Sequence, residues 1–324
     1  MDPCVRHNRN SIMAKYKTAL VTGGAGFIGS HLVDALVRRR IKVYVIDDLS
    51  TGQMRNVNPN AEFIKMSITS PKLASIVKKI KPDVIFHYAA QRNVRVSLKH
   101  PIYDAEVNVM GTLALIQAAY EVGVKKFIFS SSGGAIYSDA HKHRAPWSEE
   151  VVDEPVSPYG VAKRAGELYL NFAYYVQGMS YVALRYANIY GPRQDSGGEG
   201  GAISIFISRM LKNQAVQIFG NGKQTRDFVY VDDAVAAALK AMDAPVVGVY
   251  NIGTGQEVNV NTFFYKIKKL TGSDVAEKHV AANAGEILRS VLDARLARKK
   301  LDWTAKVSFD EGLRRTVEWF RAQK

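Results

Sequence analysis

Tyr159 and Lys163, in "SPYGVAKRAGE", are the residues of this chain best suited to moving a proton. Four residues apart on a helix, they share one face. An ammonium beside a phenol favours the phenolate, a base able to take a proton from an alcohol. A second group suits the same task. "SSSGGAIYS", Ser130 to Ser138, follows the apolar run "KKFIF" and sets hydroxyls where a buried strand ends, with two glycines and no acid behind them. Ser132 is best placed of the three to share a substrate hydroxyl's hydrogen bond and relay its proton. Ser130 and Ser131 read more simply as satisfying strand-end backbone groups. An isolated Tyr-x-x-x-Lys pair is common on surfaces, so its meaning depends on the elements around it.

Those elements alternate. "KTALVTGG" is a β-rich run and "GSHLVDALVRRR" has helical spacing. "KVYVIDD" reads as a strand, "PKLASIVKKI" as a helix and "DVIFHYAA" as a strand. "YDAEVNVMGTLALIQAAYEVG" reads as one long helix, "KKFIFSSS" as a strand and "SPYGVAKRAGELYLNFAYYVQG" as another long helix. Continuous apolar strands separated by helices imply parallel β-α units covered on both faces. The fold expected is α/β, a Rossmann-type doubly wound parallel sheet, with ligands outside the carboxyl ends of its strands. After "YVALRYANIYGP" comes the glycine-rich "RQDSGGEGGA" and then shorter mixed segments, as in a smaller C-terminal α/β domain that binds substrate. The expected division is a disordered extension over 1–15, a first domain over 16–185 and a second over 186–324. Segments near 226–250 are expected to return to the first domain.

"ALVTGGAGFIGSHLVDAL" adds the glycines 23, 24, 26 and 29 between an apolar strand and an amphipathic helix. Such glycines permit a tight turn, close approach of a pyrophosphate, and phosphates facing the helix N-terminus. Asp47, at the end of the next strand, suits a ribose 2′-hydroxyl and would repel a 2′-phosphate, which favours NAD over NADP. With a nicotinamide cation adjacent, Lys163 would lower the Tyr159 pKa, and hydride would leave the substrate for NAD.

With these motifs in order, the chain resembles the extended short-chain dehydrogenases/reductases of the NAD-dependent epimerase/dehydratase type, most of all the UDP-glucose 4-epimerases. The resemblance runs from about Lys17 to Phe320 through "TGGAGFIGSHLVD", "IDDLSTG", "HYAAQRNVRVS", "NVMGT", "FSSSGGAIYS", "SPYGVAK", "RYANIYGPRQ", "FGNGKQTRDFVYVDD" and "YNIGTG". It implies Ser132, Tyr159 and Lys163 as catalytic residues. It implies NAD contacts at Gly23, Gly26, Phe27, Ile28 and Gly29, and at Asp47, Asp48, Ser50, Thr51 and Gly52. Further NAD contacts fall on Ser67, Ile68, Tyr88, Ala89, Ala90, Asn108, Ser130 and Tyr186, with Tyr159 and Lys163 also reaching the cofactor. Nucleotide-sugar contacts fall on Ser132, Asn188, Ala202, Phe219, Arg226 and Arg289. Arg226 suits a diphosphate because a guanidinium holds phosphate oxygens in a fixed fork. The chain departs from the family pattern in four places, the first being "AIYS" where "YG" is common. Ser67 stands where an acid is usual, no arginine precedes Gly285–Glu286, and "SDAHKHRAPW" makes an unusually basic loop.

Within that family the turn after Ser132 separates reactions. A 4,6-dehydratase needs an Asp–Glu pair there, and a decarboxylating enzyme usually a glutamate. Gly133 and Gly134 occupy the turn here, leave room for an intermediate to rotate, and point to epimerisation at the sugar 4-position. In that reaction the 4-keto sugar turns about its diphosphate linkage and is reduced from its other face. UDP-glucose and UDP-galactose are the expected pair. UDP-N-acetylhexosamines or UDP-glucuronate are the alternative substrates, and a non-catalytic NAD-binding sensor or scaffold is the competing class. The resemblance also implies a homodimer that pairs the long helices near Tyr103–Val122 and Pro158–Gln177 into a four-helix bundle.

The bulk properties agree. The chain has 324 residues, 47% hydrophobic and 23% charged, which is globular composition. One cysteine, Cys4, excludes an intrachain disulfide and a cysteine-rich metal site, and no metal is expected. No apolar run is long enough for a membrane span, and the polar N-terminus lacks a secretory pattern, so a cytoplasmic protein is expected. The net charge of +14 suits an anionic ligand. The basic groups at Arg38–Arg40, Lys78–Lys79 and Arg298–Lys300 are scattered and read as solvated helix faces, so nucleic acid is not expected. His87 reads as a satisfied strand-end histidine.

Overall fold

The computed structural model describes residues 16–138, 145–197, 201–282 and 287–323. The extension expected over 1–15, Cys4, the basic stretch 139–144 and the Gly285–Glu286 pair lie outside the described residues.

Strands β1 (Thr18–Thr22), β2 (Lys42–Asp47), β3 (Glu62–Lys65), β4 (Val84–His87), β5 (Lys126–Ser132) and β6 (Tyr181–Tyr186) form one sheet with an edge strand, Gly248–Ile252. Its order is edge–β6–β5–β4–β1–β2–β3, and every neighbouring pair is parallel. Side chains alternate between two cores. Ala19 and Val21 join Leu32 and Leu36 of α1 (Phe27–Arg38) on one face. Leu20, Ile85 and Phe127 join Leu73 and Val77 of α2 (Leu73–Ile80), and Leu170, on the other. Burial on both faces is why these strands are apolar throughout. The chain steps one way through β1, β2 and β3, then the other way from β4. The carboxyl ends of β1 and β4 therefore part and leave a crevice.

The helix expected over 103–123 is not uniform. It runs as Pro101–Ala105, a wide π turn at Glu106–Gly111, and Thr112–Glu121. The wide turn carries Asn108, which is buried, and its amide is bonded to Gln91 and Asp104. Such turns recur at functional sites.

The remaining segments pack around a third core containing Phe206, Phe263, Phe264 and Leu313. Asn188–Tyr190 pairs in parallel with Phe228–Tyr230, and Val216–Phe219 with Glu277–Val280. Thr225–Arg226 lies between Val258–Asn259 and Arg289–Ser290. The edge strand Gly248–Ile252 comes from the middle of this stretch, yet pairs with β6. The three basic groups are exposed helix ends. Among the described residues no helix is long and apolar enough to cross a membrane.

Candidate active site

The crevice is floored by backbone in tight approach. Gly23 has φ +72°, and a Cβ there would stand 2.6 Å from the Ala89 nitrogen. Its N–H donates to Ile46 O at 2.8 Å, and Gly26 N donates to Gly23 O at 3.1 Å. The Ala89–Ala90 turn and the glycine turn thus touch backbone to backbone, and α1 starts at Phe27 and Ile28 directly behind. Asp47 ends β2, accepting Ala25 N on Oδ2 at 3.0 Å and Leu49 N on Oδ1 at 2.8 Å. Burial pushes its carboxyl up, and those two N–H groups pull it back. Asp48 shapes the following turn by accepting Ser50 N, ahead of Thr51. A Cβ on Gly52 would lie 2.6 Å from Asp47 Oδ1.

Farther along, Ser67 is bonded to the Thr69 hydroxyl and Ile68 is buried beneath Gly111. Tyr88 and Tyr186 join through their hydroxyls at 2.7 Å, and Tyr186 donates on to Ala234 O. The Tyr186 ring therefore belongs to the core. His87 is closed off as well. Its Nδ1 meets the Thr22 hydroxyl at 2.7 Å and its Nε2 the Thr112 hydroxyl at 2.9 Å. Burial holds it down to about 3, so it stays neutral.

Beside the crevice the catalytic candidates converge. Ser157 caps the Pro158–Gln177 helix, accepting Gly160 N at 3.2 Å. That helix carries Tyr159 and Lys163 on one face, and the Ser132 hydroxyl at the end of β5 stands near the Tyr159 phenol and favours its charged form. Lys163 is buried; its Nζ donates to Ser130 O at 2.8 Å and lies 5.7 Å from the Tyr159 ring centre. Burial pulls the Lys163 ammonium down to about 8, against the pull of the Asp104 and Glu167 carboxylates. Burial pushes the Tyr159 phenol up to about 12, and Asp104 adds to this, while Ser132 and Arg92 oppose it. The lowered phenol expected from the Tyr–Lys spacing is not what the protein's own groups produce. Desolvation outweighs the Coulombic help.

Behind this corner lies a buried ionic network that the sequence reading missed. Glu167, 1% exposed, accepts the Ser131 hydroxyl at 2.6 Å and Arg185 Nε and Nη2 at 2.9 and 2.6 Å. Arg185 also donates to the Tyr137 hydroxyl and pairs with Asp153. Ser131 thus bonds a carboxylate rather than backbone. Two signals were present: an acid four residues past Lys163, and an arginine inside the apolar strand "YVALRY".

The opposite wall carries the nucleotide-sugar candidates. Asn188 is exposed, and a Cβ on Gly134 would stand 3.9 Å from its Oδ1 and 4.0 Å from Ser290 Oγ. Gly134 thus has room for a methyl in ordinary contact with Asn188 and Ser290. Gly133 does not, since a Cβ there would meet Leu292 Cδ1 at 2.6 Å. The room expected at both glycines exists at one. Ser290 is the register partner of Arg226, and Thr225 that of Arg289. Because strand faces alternate, Arg226 and Arg289 lie on opposite faces of their small sheet. Arg226 shares Ser290's face, toward Gly134. Arg289 pairs with Glu257 at 2.6 Å and donates to Ala145 O, so the structure does not bring it to the catalytic side. Ala202 opens the Ala202–Leu211 helix, and Phe219 ends its strand with the Arg95 guanidinium 5.7 Å from the ring centre. Arg92 pairs with Asp195 at 3.1 Å.

A doubly wound parallel sheet, with a glycine turn where its order reverses and Ser, Tyr and Lys meeting beside it, defines a dinucleotide-dependent protein of the short-chain dehydrogenase/reductase class. The model of the NAD dependent epimerase/dehydratase family matches residues 19–253, and the chain belongs to that family. It is 42% identical over 302 residues to a putative UDP-glucose 4-epimerase of Methanocaldococcus jannaschii, covering 93% of this chain and 98% of that protein. A solved UDP-glucose 4-epimerase of Thermotoga maritima, with UDP-glucose, is 46% identical. It superposes with a TM-score of 0.92 over 94% of this chain and 99% of its own. A UDP-N-acetylglucosamine 4-epimerase of Methanobrevibacter ruminantium, in complex with UDP-N-acetylmuramic acid, is 37% identical. Its TM-score is 0.90, over 95% and 99% of the two chains. The residues here fit the family's cofactor. The Gly23 turn packs against the Ala89 backbone with no room for a Cβ, as a pyrophosphate-binding glycine turn requires, and Asp47 ends β2 where a ribose would lie.

Proposed function

We propose that this protein is an NAD-dependent UDP-sugar 4-epimerase that interconverts UDP-glucose and UDP-galactose. The observation carrying this is the meeting of Ser132, Tyr159 and Lys163 beside an acid-free Gly134 that faces Asn188. Bound NAD supplies the reversible two-electron acceptor that lets the sugar's C4 pass through a ketone. Gly23, Gly26 and Asp47 are its main holders, with the loops at Ser50–Gly52 and Ala89–Ala90.

Tyr159 takes the 4-hydroxyl proton, and Ser132, near the same phenol, shares and relays it. Lys163 lies 5.7 Å from the Tyr159 ring centre, fixed by Ser130 O on one side and drawn by Asp104 and Glu167 on the other, and the positive nicotinamide of bound NAD would add to its charge in offsetting the burial that raises the phenol. Asn188 and Arg226 hold the sugar and diphosphate, and Phe219 lines the nucleotide end. With no carboxyl group in the Gly133–Gly134 turn, elimination and decarboxylation lack an acid there.

The likeness to a UDP-N-acetylglucosamine 4-epimerase supports acetylated hexoses as the second choice. A non-catalytic NAD sensor has less support, because the tyrosine and the lysine are both in place. We assign 16–185 to the NAD-binding domain and 186–324 to the nucleotide-sugar-binding domain, with Gly248–Ile252 returning to the first sheet. A homodimer through the two long helices is part of the same reading. Tyr103, Met110, Leu168 and Phe172 on them are each about half exposed or more, apolar surface of the kind that subunit contacts cover. A single cysteine in the chain suits a reducing cytoplasm.

The test is a turnover panel of UDP-glucose, UDP-N-acetylglucosamine and UDP-glucuronate. The reading expects UDP-galactose from UDP-glucose at the highest kcat/KM, and turnover of none of the three would refute it.

A further inference from the structure

The wall that carries Arg226 turns one assigned guanidinium toward the catalytic side and the other away. A nucleoside diphosphate sugar carries two negative charges, one on each phosphoryl group. A candidate for the second cation stands on the facing wall. Arg95 is exposed, and its side chain has no hydrogen-bond or ion-pair partner among the described residues. Its guanidinium lies 5.7 Å from the Phe219 ring centre, so it reaches across the cleft from the sheet side to the nucleotide side. The Gln224 amide donates to Phe219 O at 3.0 Å, tying that ring's strand to the one that ends in Arg226.

Arg95 is also well anchored at its base. Asn93 accepts Arg95 N at 2.8 Å and Val96 N at 3.1 Å. The turn before it is laced by Gln91 to Asn93, Asp104 and Asn108. A guanidinium with no hydrogen-bond partner gives up no protein hydrogen bond on binding an anion, and the fixed backbone confines the ordering cost to the side chain. The fork of N–H groups matches phosphate oxygens bidentately.

Resting on the nucleotide-sugar reading above, we propose that Arg95 is a diphosphate-binding residue of this protein, clamping the phosphoryl groups from the side opposite Arg226. Phe219 parks the guanidinium until the diphosphate takes it. Because the sugar must turn while the nucleotide stays, a clamp on both sides of the diphosphate also sets the pivot.

Isothermal titration of the cofactor-loaded protein with UDP and, separately, with uridine tests this, using wild type, Arg95→Ala and Arg95→Lys. Arg95→Ala is expected to weaken UDP roughly tenfold or more and leave uridine unchanged, with Arg95→Lys in between. Equal UDP affinity in wild type and Arg95→Ala would overturn the proposal. Equal weakening of UDP and uridine would also overturn it, since Arg95 would then serve the base. Failure of the wild type to bind UDP would sink the nucleotide-sugar reading itself, a different result from either.

Discussion

Around Lys163 the charged groups are buried and matched. Glu167 holds Ser131 and Arg185, Arg185 reaches Tyr137 and Asp153, and Lys163 is fixed to Ser130 O. At the open surface of the site they are exposed and loosely held. Arg95 rests on a ring, Arg92 shares an open ion pair with Asp195, and Arg289 and Glu257 bridge at the surface. The contrast follows the work of each wall. A proton relay needs fixed distances of hydrogen-bond length, so its second layer is dense. A nucleotide must enter and leave, so its wall keeps charge in contact with water.

Breaking the dense side is expected to cost most. Glu167→Ala leaves the buried Arg185 without its main partner and is expected to lose about 3–5 kcal/mol of stability by denaturant titration. A pH titration should sharpen the same point. His87 falls to about 3 in the fold against 6.5 for a free imidazole, so the unfolded chain binds the extra proton between those values. Stability is therefore full above about pH 6.5 and lost as pH falls toward 3. The slope from this one group approaches about 1.4 kcal/mol per pH unit. In His87→Gln that contribution should vanish, leaving a shallower acid limb in the same titration.

Gly133→Ala pushes a methyl into Leu292 and is expected to cost about 1–3 kcal/mol, whereas Gly134→Ala should stay within about 0.5 kcal/mol. Equal costs in thermal melts would mean that the two glycines do not differ as described. The smallest effect belongs to the open wall. Arg289→Ala should cost no more than about 1 kcal/mol, as exposed pairs do, and change KM for UDP-glucose less than Arg226→Ala does.

Much of this division can be read from the chain before folding. The apolar strands, the glycine turn and the Tyr159–Lys163 spacing are local patterns with fixed periods, and the structure builds them where those periods direct. What stayed hidden depends on partners far apart in sequence. Ser131 meets Glu167, and Glu167 meets Arg185, only because β5, β6 and one helix pack together. Gly133 owes its identity to Leu292, more than 150 residues on. Arg289 looked equivalent to Arg226 until register put them on opposite faces. The π turn at Asn108 was hidden because a continuous helical pattern does not betray one widened turn.

Proton NMR of UDP-glucose incubated with the protein tests most directly whether Tyr159 moves the proton in a 4-epimerisation. Wild type should produce the anomeric signal of UDP-galactose up to equilibrium, and Tyr159→Phe should slow its appearance roughly 10²- to 10⁴-fold while still binding UDP. Equal rates for the two proteins, or no UDP-galactose from wild type, would contradict the account.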